Sequence, residues 1–143
     1  MIYTSYFAQI RNFPSNLVGL STAVFNPRWL HPGKSQNGIL WLDIPPLKPG
    51  HSCNGLCSGH CNPKHPHDCE FLKQYRIQLD NINFNEFLIK LNKLKEKIEN
   101  NEHLNNVDFA LLVYEVPTNP CSERVVIQDW FKANSFEIQE WHK

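Results

Sequence analysis

The chain has 143 residues, of which 41% are apolar, 12% aromatic and 20% charged, the composition of one globular domain over residues 1–143 rather than of a disordered polymer. Fourteen basic residues balance fourteen acidic ones, so the formal net charge is zero; this weighs against a nucleic-acid binder driven by bulk electrostatics without excluding a local patch. No apolar run approaches the ~18 residues a bilayer span needs, and the start Met1-Ile-Tyr-Thr-Ser-Tyr-Phe lacks the basic and apolar stretches of a secretion signal. The expectation is a cytoplasmic protein with no membrane association.

In chain order, Ile2 to Ala8 is aromatic and β-branched and predicts a strand. After the turn-like Asn12-Phe-Pro-Ser-Asn16, the run Leu17 to Val24 predicts a strand buried on both faces. Residues 26–33, with Trp29, read as a loop, and Ile39 to Ile44 as a third strand stopped by Pro45 and Pro46. Glu70 to Leu79 reads as a helix. A clearer helix follows, in which Phe84, Phe87, Leu88, Leu91, Leu94 and Ile98 recur at three- and four-residue steps. Asn83 is placed to cap it, with Glu86 three residues on, and Lys90, Lys93, Lys95 and Lys97 form its solvated side.

Asp108 to Glu115 is the strongest strand signal, a nearly continuous apolar run suited to a sheet centre. Ser122 is placed to cap a final helix reaching about Asn134, and Phe136, Ile138 and Trp141 suit a last strand. Two strands flanking a helix make a βαβ unit with parallel strands. The whole predicts a small layered α/β domain with a mostly parallel sheet.

Between the third strand and the first helix, about Lys48 to Cys69, lies an insertion rich in Cys, His, Gly and Pro. It carries Cys53, Cys57, Cys61 and Cys69, with His51, His60, His65 and His67 among them. Such a segment cannot form regular structure, and a tetrahedral metal would hold it in shape by binding thiolates or neutral imidazoles. Reducing conditions favour metal over disulfides, although disulfides, free thiols or a catalytic metal are alternatives. The expectation is a structural Zn²⁺ on Cys53, Cys57, Cys61 and Cys69. Four ligands leave no open position for catalysis, and the histidines are a surplus from which a replacement ligand could come.

In a parallel sheet, ligands gather outside the carboxyl ends of the strands. Those exits carry Ser5 and Tyr6, Ser21 and Thr22, Asp43, and then Tyr114 and Glu115, followed by Val116 to Pro120 and Cys121-Ser122-Glu123-Arg124. Cys121 sits before a helix start, where unpaired N–H groups favour negative charge, and Arg124 adds a cation. That setting suits a low-pKa thiol or, without covalent chemistry, a phosphate or carboxylate. The plainer alternative makes Cys121 a small apolar residue, with Arg124 paired to Glu115 or Asp129. Neither a Walker-type phosphate loop, nor a Gly-rich dinucleotide fingerprint, nor a Gly-x-Ser-x-Gly elbow occurs.

Two stretches, Ile2-Tyr-Thr-Ser-Tyr-Phe-Ala8 and Leu111-Leu-Val-Tyr-Glu115 followed by Pro117, Cys121, Arg124 and Trp130, resemble the prokaryotic and phage domain-of-unknown-function 488 family. The resemblance brackets the chain at both ends and does not include the cysteine-rich insertion. It departs at the motif itself, because Cys121-Ser-Glu-Arg124 stands where Cys-His-Arg is usual. It implies a shared site of Tyr114, Glu115, Cys121 and Arg124, and no established activity.

Two readings follow. In the first, the strand exits form a polar pocket for a small anionic, nucleotide-like ligand. Tyr6, Tyr114, Glu115, Cys121, Ser122 and Arg124 line it, and Glu115 and Cys121 are the candidate catalytic groups if there is a reaction. In the second, the zinc-stabilised loop, with Trp29 and Trp41, is a non-catalytic module that recognises a protein or nucleic acid.

Overall fold

A computed structural model describes residues 1–28, 33–35, 37–50 and 69–143. Cys53, Cys57, Cys61, the histidines at 51, 60, 65 and 67, and Trp29 lie outside the described residues. The strands are β1 (Ile2–Tyr6), β2 (Leu17–Ser21), β3 (Gly33–Lys34), β4 (Leu40–Asp43), β5 (Asp108–Val113) and β6 (Gln139–Glu140); the helices are α1 (Glu70–Asp80), α2 (Phe84–Glu102) and α3 (Glu123–Ala133). The sheet runs β3-β4-β2-β5-β1-β6. All its pairings are parallel except that of β3 with β4. This is the expected α/β architecture, with β5 at the centre.

The period-two alternation of the strands sorts the core into two clusters. On one face Val18, Leu20, Phe109 and Leu111 pack against the apolar stripes of all three helices. Phe84 of α2 meets Trp130 and Phe131 of α3 edge-on, at ring centroid separations of 5.0 and 5.1 Å. On the other face Leu17, Trp41, Ala110 and Leu112 are covered by Phe7, Ile10, Phe13 and Ile39. Trp41 has no exposed surface, so it is core and not part of a recognition surface. It lies beside Gly19, where an added Cβ would come within 2.7 Å of Leu112 Cδ1 and 3.1 Å of Trp41 Cβ; only glycine leaves room for both.

Connections moving towards β6 cross the helical face, and the β1–β2 connection, moving the other way, packs on the second face. Opposite directions on opposite faces are what a single crossover hand requires. The consequence is that β1 and β5, adjacent in the sheet, send their chains to opposite sides, the topological position at which open α/β sheets bind ligands. The same holds for β2 and β4.

Several boundaries differ from the sequence reading. β1 stops at Tyr6, and Phe7–Asn12 form a 3₁₀ segment. Phe7, read as strand continuation, forms with Ile10 the lid of the second core. β2 ends at Ser21, where Thr22 turns its hydroxyl onto the Leu112 carbonyl. The last strand contains only Gln139 and Glu140, because Phe136 and Ile138 are drawn into the helical core. Pairing of β3 with β4 has no apolar signature in Gly33-Lys34 and was not anticipated. The helices match closely, and both caps form: Asn83 Oδ1 accepts from the Glu86 N–H and Ser122 Oγ from the Arg124 N–H.

Candidate functional site at the strand exits

The site is built on the opening turn of α3. Ser122 supplies the cap; its hydroxyl also donates to Glu115 Oε2 at 3.2 Å. Arg124, in the first turn, is only 3% exposed. Its Nε donates to Glu140 Oε1 at 2.6 Å, and its Nη2 to the Glu115 carbonyl at 2.7 Å. The guanidinium carbon lies 5.8 Å from the centre of the Tyr6 ring. Glu140 Oε1 also accepts from the Thr4 hydroxyl, which in turn accepts from Gln128 Nε2, both at 2.8 Å. The exits of β1, β5 and β6 are thus tied to α3 through one arginine.

Of the residues singled out from sequence, Tyr6, Glu115, Ser122 and Arg124 meet in this cluster. Arg124 is paired neither with the Glu115 carboxylate nor with Asp129: it takes the Glu115 carbonyl and the Glu140 carboxylate. Cys121 is partly exposed, and its N–H donates to Asn119 Oδ1 at 3.0 Å. Tyr114 points across the sheet edge instead, packing on Phe7 at 5.1 Å and donating its hydroxyl to the Phe25 carbonyl. Thr4, Gln128 and Glu140 were missed, since a carboxylate in a two-residue strand carries no local signal. Their only trace is the alternation that puts Thr4 on the same face as Ile2.

The hydrogen-bonding of the cluster is incomplete. Arg124 Nη1 and Glu140 Oε2 are buried without a partner among the described residues, as are Ser5 Oγ on the opposite face of β1 and Trp41 Nε1 in the second core. A buried donor left unpaired costs about 1–3 kcal/mol, and more when charged, so such atoms point to a site completed by something else.

Electrostatics add a titratable group. Glu123 is pushed up from an ordinary carboxylate value of 4.5 to about 7, first by burial and then by the charge of Glu115, with Arg124 and its own backbone N–H pulling the other way. Tyr114 is also raised, by burial and by Glu115. Tyr75, whose hydroxyl donates to the Leu47 carbonyl, is raised well above its ordinary value by burial and then by Glu123.

The exits of β2 and β4 hold a second polar cluster. Lys48 Nζ donates to Asp43 Oδ1 at 2.9 Å, to the Ala23 carbonyl at 2.6 Å and to Ser21 Oγ at 3.4 Å. Asn26 donates to Asp43 at 2.8 Å and accepts from the Ser21 hydroxyl at 2.6 Å. Although burial works to raise the Asp43 pKa, the hydrogen bonds from Asn26 and Lys48 and the Lys48 charge hold it below its ordinary value.

Cys69, the one expected metal ligand among the described residues, is buried immediately before the first residue of α1. Among the described residues no group of three His, Cys, Asp or Glu side chains is arranged to hold a metal ion, and no helix is long and apolar enough to cross a membrane. Comparison with family models, curated proteins and solved structures yields no match.

Proposed function

We propose that the crevice between the β1 and β5 exits binds a small anionic, nucleotide-like ligand, and that Arg124 receives its anion. The observation that supports this most is the Nη1 group of Arg124: a buried N–H donor without an acceptor among the described residues, on the first turn of a helix, at a point where adjacent strands send their chains to opposite faces. The charge of Arg124 is already balanced by Glu140, so it offers a fixed hydrogen-bond direction and not an excess of positive charge. Tyr6, over the guanidinium, is the cover a ligand displaces. Protonation of Glu123 near pH 7 removes a like charge from the helix start as the anion arrives.

In this reading Glu115 and Cys121 stand nearest the bound group and are the residues to test for catalysis. The resemblance to the domain-of-unknown-function 488 family supports the same location through Tyr114, Glu115, Cys121 and Arg124, with Ser122 and Glu123 in place of the usual histidine. Within the same proposal Cys53, Cys57, Cys61 and Cys69 hold a structural Zn²⁺. The burial of Cys69 and the anchoring of Gly50, whose N–H donates to Gln78 Oε1 at 2.8 Å, support a loop fixed at both ends on α1. For the interaction-module alternative, Trp41 is buried and offers no recognition surface, while Trp29 and most of the cysteine loop lie outside the described residues.

The binding test is a thermal-shift panel of nucleotides on the wild-type protein and on Arg124→Lys and Cys121→Ala. A melting-temperature rise that Arg124→Lys diminishes supports the reading, and responses unchanged by both variants refute it. For the loop, metal analysis of purified protein should give one zinc per chain, falling with each Cys→Ser substitution. A metal-free, fully folded protein would remove the zinc assignment.

A further inference from the structure

Exposed aromatic rings are ordinary when scattered, but here two of them sit on neighbouring strand exits. Phe25, four residues past β2, is 74% exposed, and Tyr114, immediately past β5, is 51% exposed. The Tyr114 hydroxyl donates to the Phe25 carbonyl, which holds the two segments together. Tyr114 is also backed by Phe7, which is itself buried edge-on against Trp41 at 5.9 Å. The ring is therefore fixed from behind by core residues while half its surface faces water. A rigid aromatic surface of this kind loses little entropy when something stacks on it.

Its position specifies the partner. Glu115, the next residue, gives its carbonyl to Arg124 Nη2. Glu115 thus joins the aromatic surface of Tyr114 to the guanidinium whose Nη1 has no partner among the described residues. A molecule spanning both has a planar aromatic group at one end and an anion at the other, which is the chemistry of a nucleoside phosphate.

We infer that Phe25 and Tyr114 form the stacking platform for the base of the nucleotide-like ligand, a refinement that rests on the binding reading above. Stacking tolerates every base, because each has a π-face, so the platform gives affinity with little base selectivity.

The test is calorimetric titration with AMP, adenosine and ribose 5-phosphate on wild-type protein and on Tyr114→Leu, Tyr114→Phe and Phe25→Leu. The platform predicts that AMP binds tightest. Tyr114→Leu should weaken AMP and adenosine by about 5- to 100-fold and leave ribose 5-phosphate unchanged. Tyr114→Phe should stay near wild type, and Phe25→Leu should follow Tyr114→Leu with a smaller loss. On the wild-type protein alone, the adenine ring protons should move upfield in NMR spectra on binding, a ring-current effect that needs no variant. Equal affinity for AMP and ribose 5-phosphate, or an unmoved adenine spectrum, overturns the platform and leaves the crevice reading standing. No binding of any of the three overturns both. Self-association that Phe25→Leu abolishes, without nucleotide binding, makes the patch a contact between copies and overturns the platform.

Discussion

The two polar clusters at the carboxyl edge of the sheet differ in one respect. At the β2 and β4 exits, Ser21, Asn26, Asp43 and Lys48 satisfy one another in a ring of hydrogen bonds. At the β1, β5 and β6 exits, Arg124 and Glu140 are drawn together just as tightly, yet each keeps one buried atom unpaired among the described residues. The first cluster is complete as it stands and pins the loops after two strands. The second combines unused hydrogen-bonding capacity, a helix start and a carboxyl group titrating near neutrality. The same topology produces both, so the crevice alone does not make a site; the leftover atoms distinguish one exit from the other.

The comparison can be broken first at Arg124. Replacing it with leucine leaves Glu140 buried and uncompensated, and should cost about 3–5 kcal/mol in urea unfolding. The double variant Arg124→Leu/Glu140→Leu should regain most of that loss, because two apolar side chains replace the buried pair. Lys48→Met is the matching change in the closed cluster. It strands Asp43 and the Ala23 carbonyl at a more exposed place, so the expected loss is smaller, about 1–3 kcal/mol, and nucleotide binding weakens no more than in Phe25→Leu, because Lys48 pins the loop that carries Phe25.

The smallest effect sharpens the contrast by pH. Glu123 has a folded-state pKa of about 7 against an ordinary 4.5. Between those values the native state holds a proton that the unfolded chain has released, so stability falls as pH rises from about 4.5 to about 7 and then levels. Glu123→Gln should flatten that decline. After discounting for partial exposure it should be more stable than wild type by about 1–2 kcal/mol at pH 8 and equal at pH 4. Affinity for an anionic ligand should fall as pH rises through about 7, where folded Glu123 loses its proton, in the wild type and not in the variant. Denaturation midpoints and titrations at pH 4, 6 and 8 check both.

How much could be read in advance depended on how local the signal was. α2 was legible because its stripe and its Asn83 cap lie within nineteen residues, and β5 because a continuous apolar run suits only a buried central strand. Ser122 and Arg124 were legible for a similar reason, as a cap and the first turn that follows it. Glu140 was not, because its importance comes from β6 pairing with β1, which brings it to Thr4 across most of the chain. The stopping point of β1 was hidden for another reason: Phe7 and Ala8 have strand-like neighbours, and only tertiary packing bends them into a lid. Tyr114 was expected inside the pocket with Arg124, but strand alternation sends it to the other face, where it meets Phe7 and Phe25.

The most direct measurement is an amide NMR titration of the wild-type protein with AMP. Binding at the opening turn of α3 should give saturable shifts at Tyr6, Phe25, Tyr114, Glu115 and residues Ser122 to Val125, while Ser21, Asp43 and Lys48 stay still. Shifts centred on the closed cluster, or none at the opening turn of α3, would contradict it.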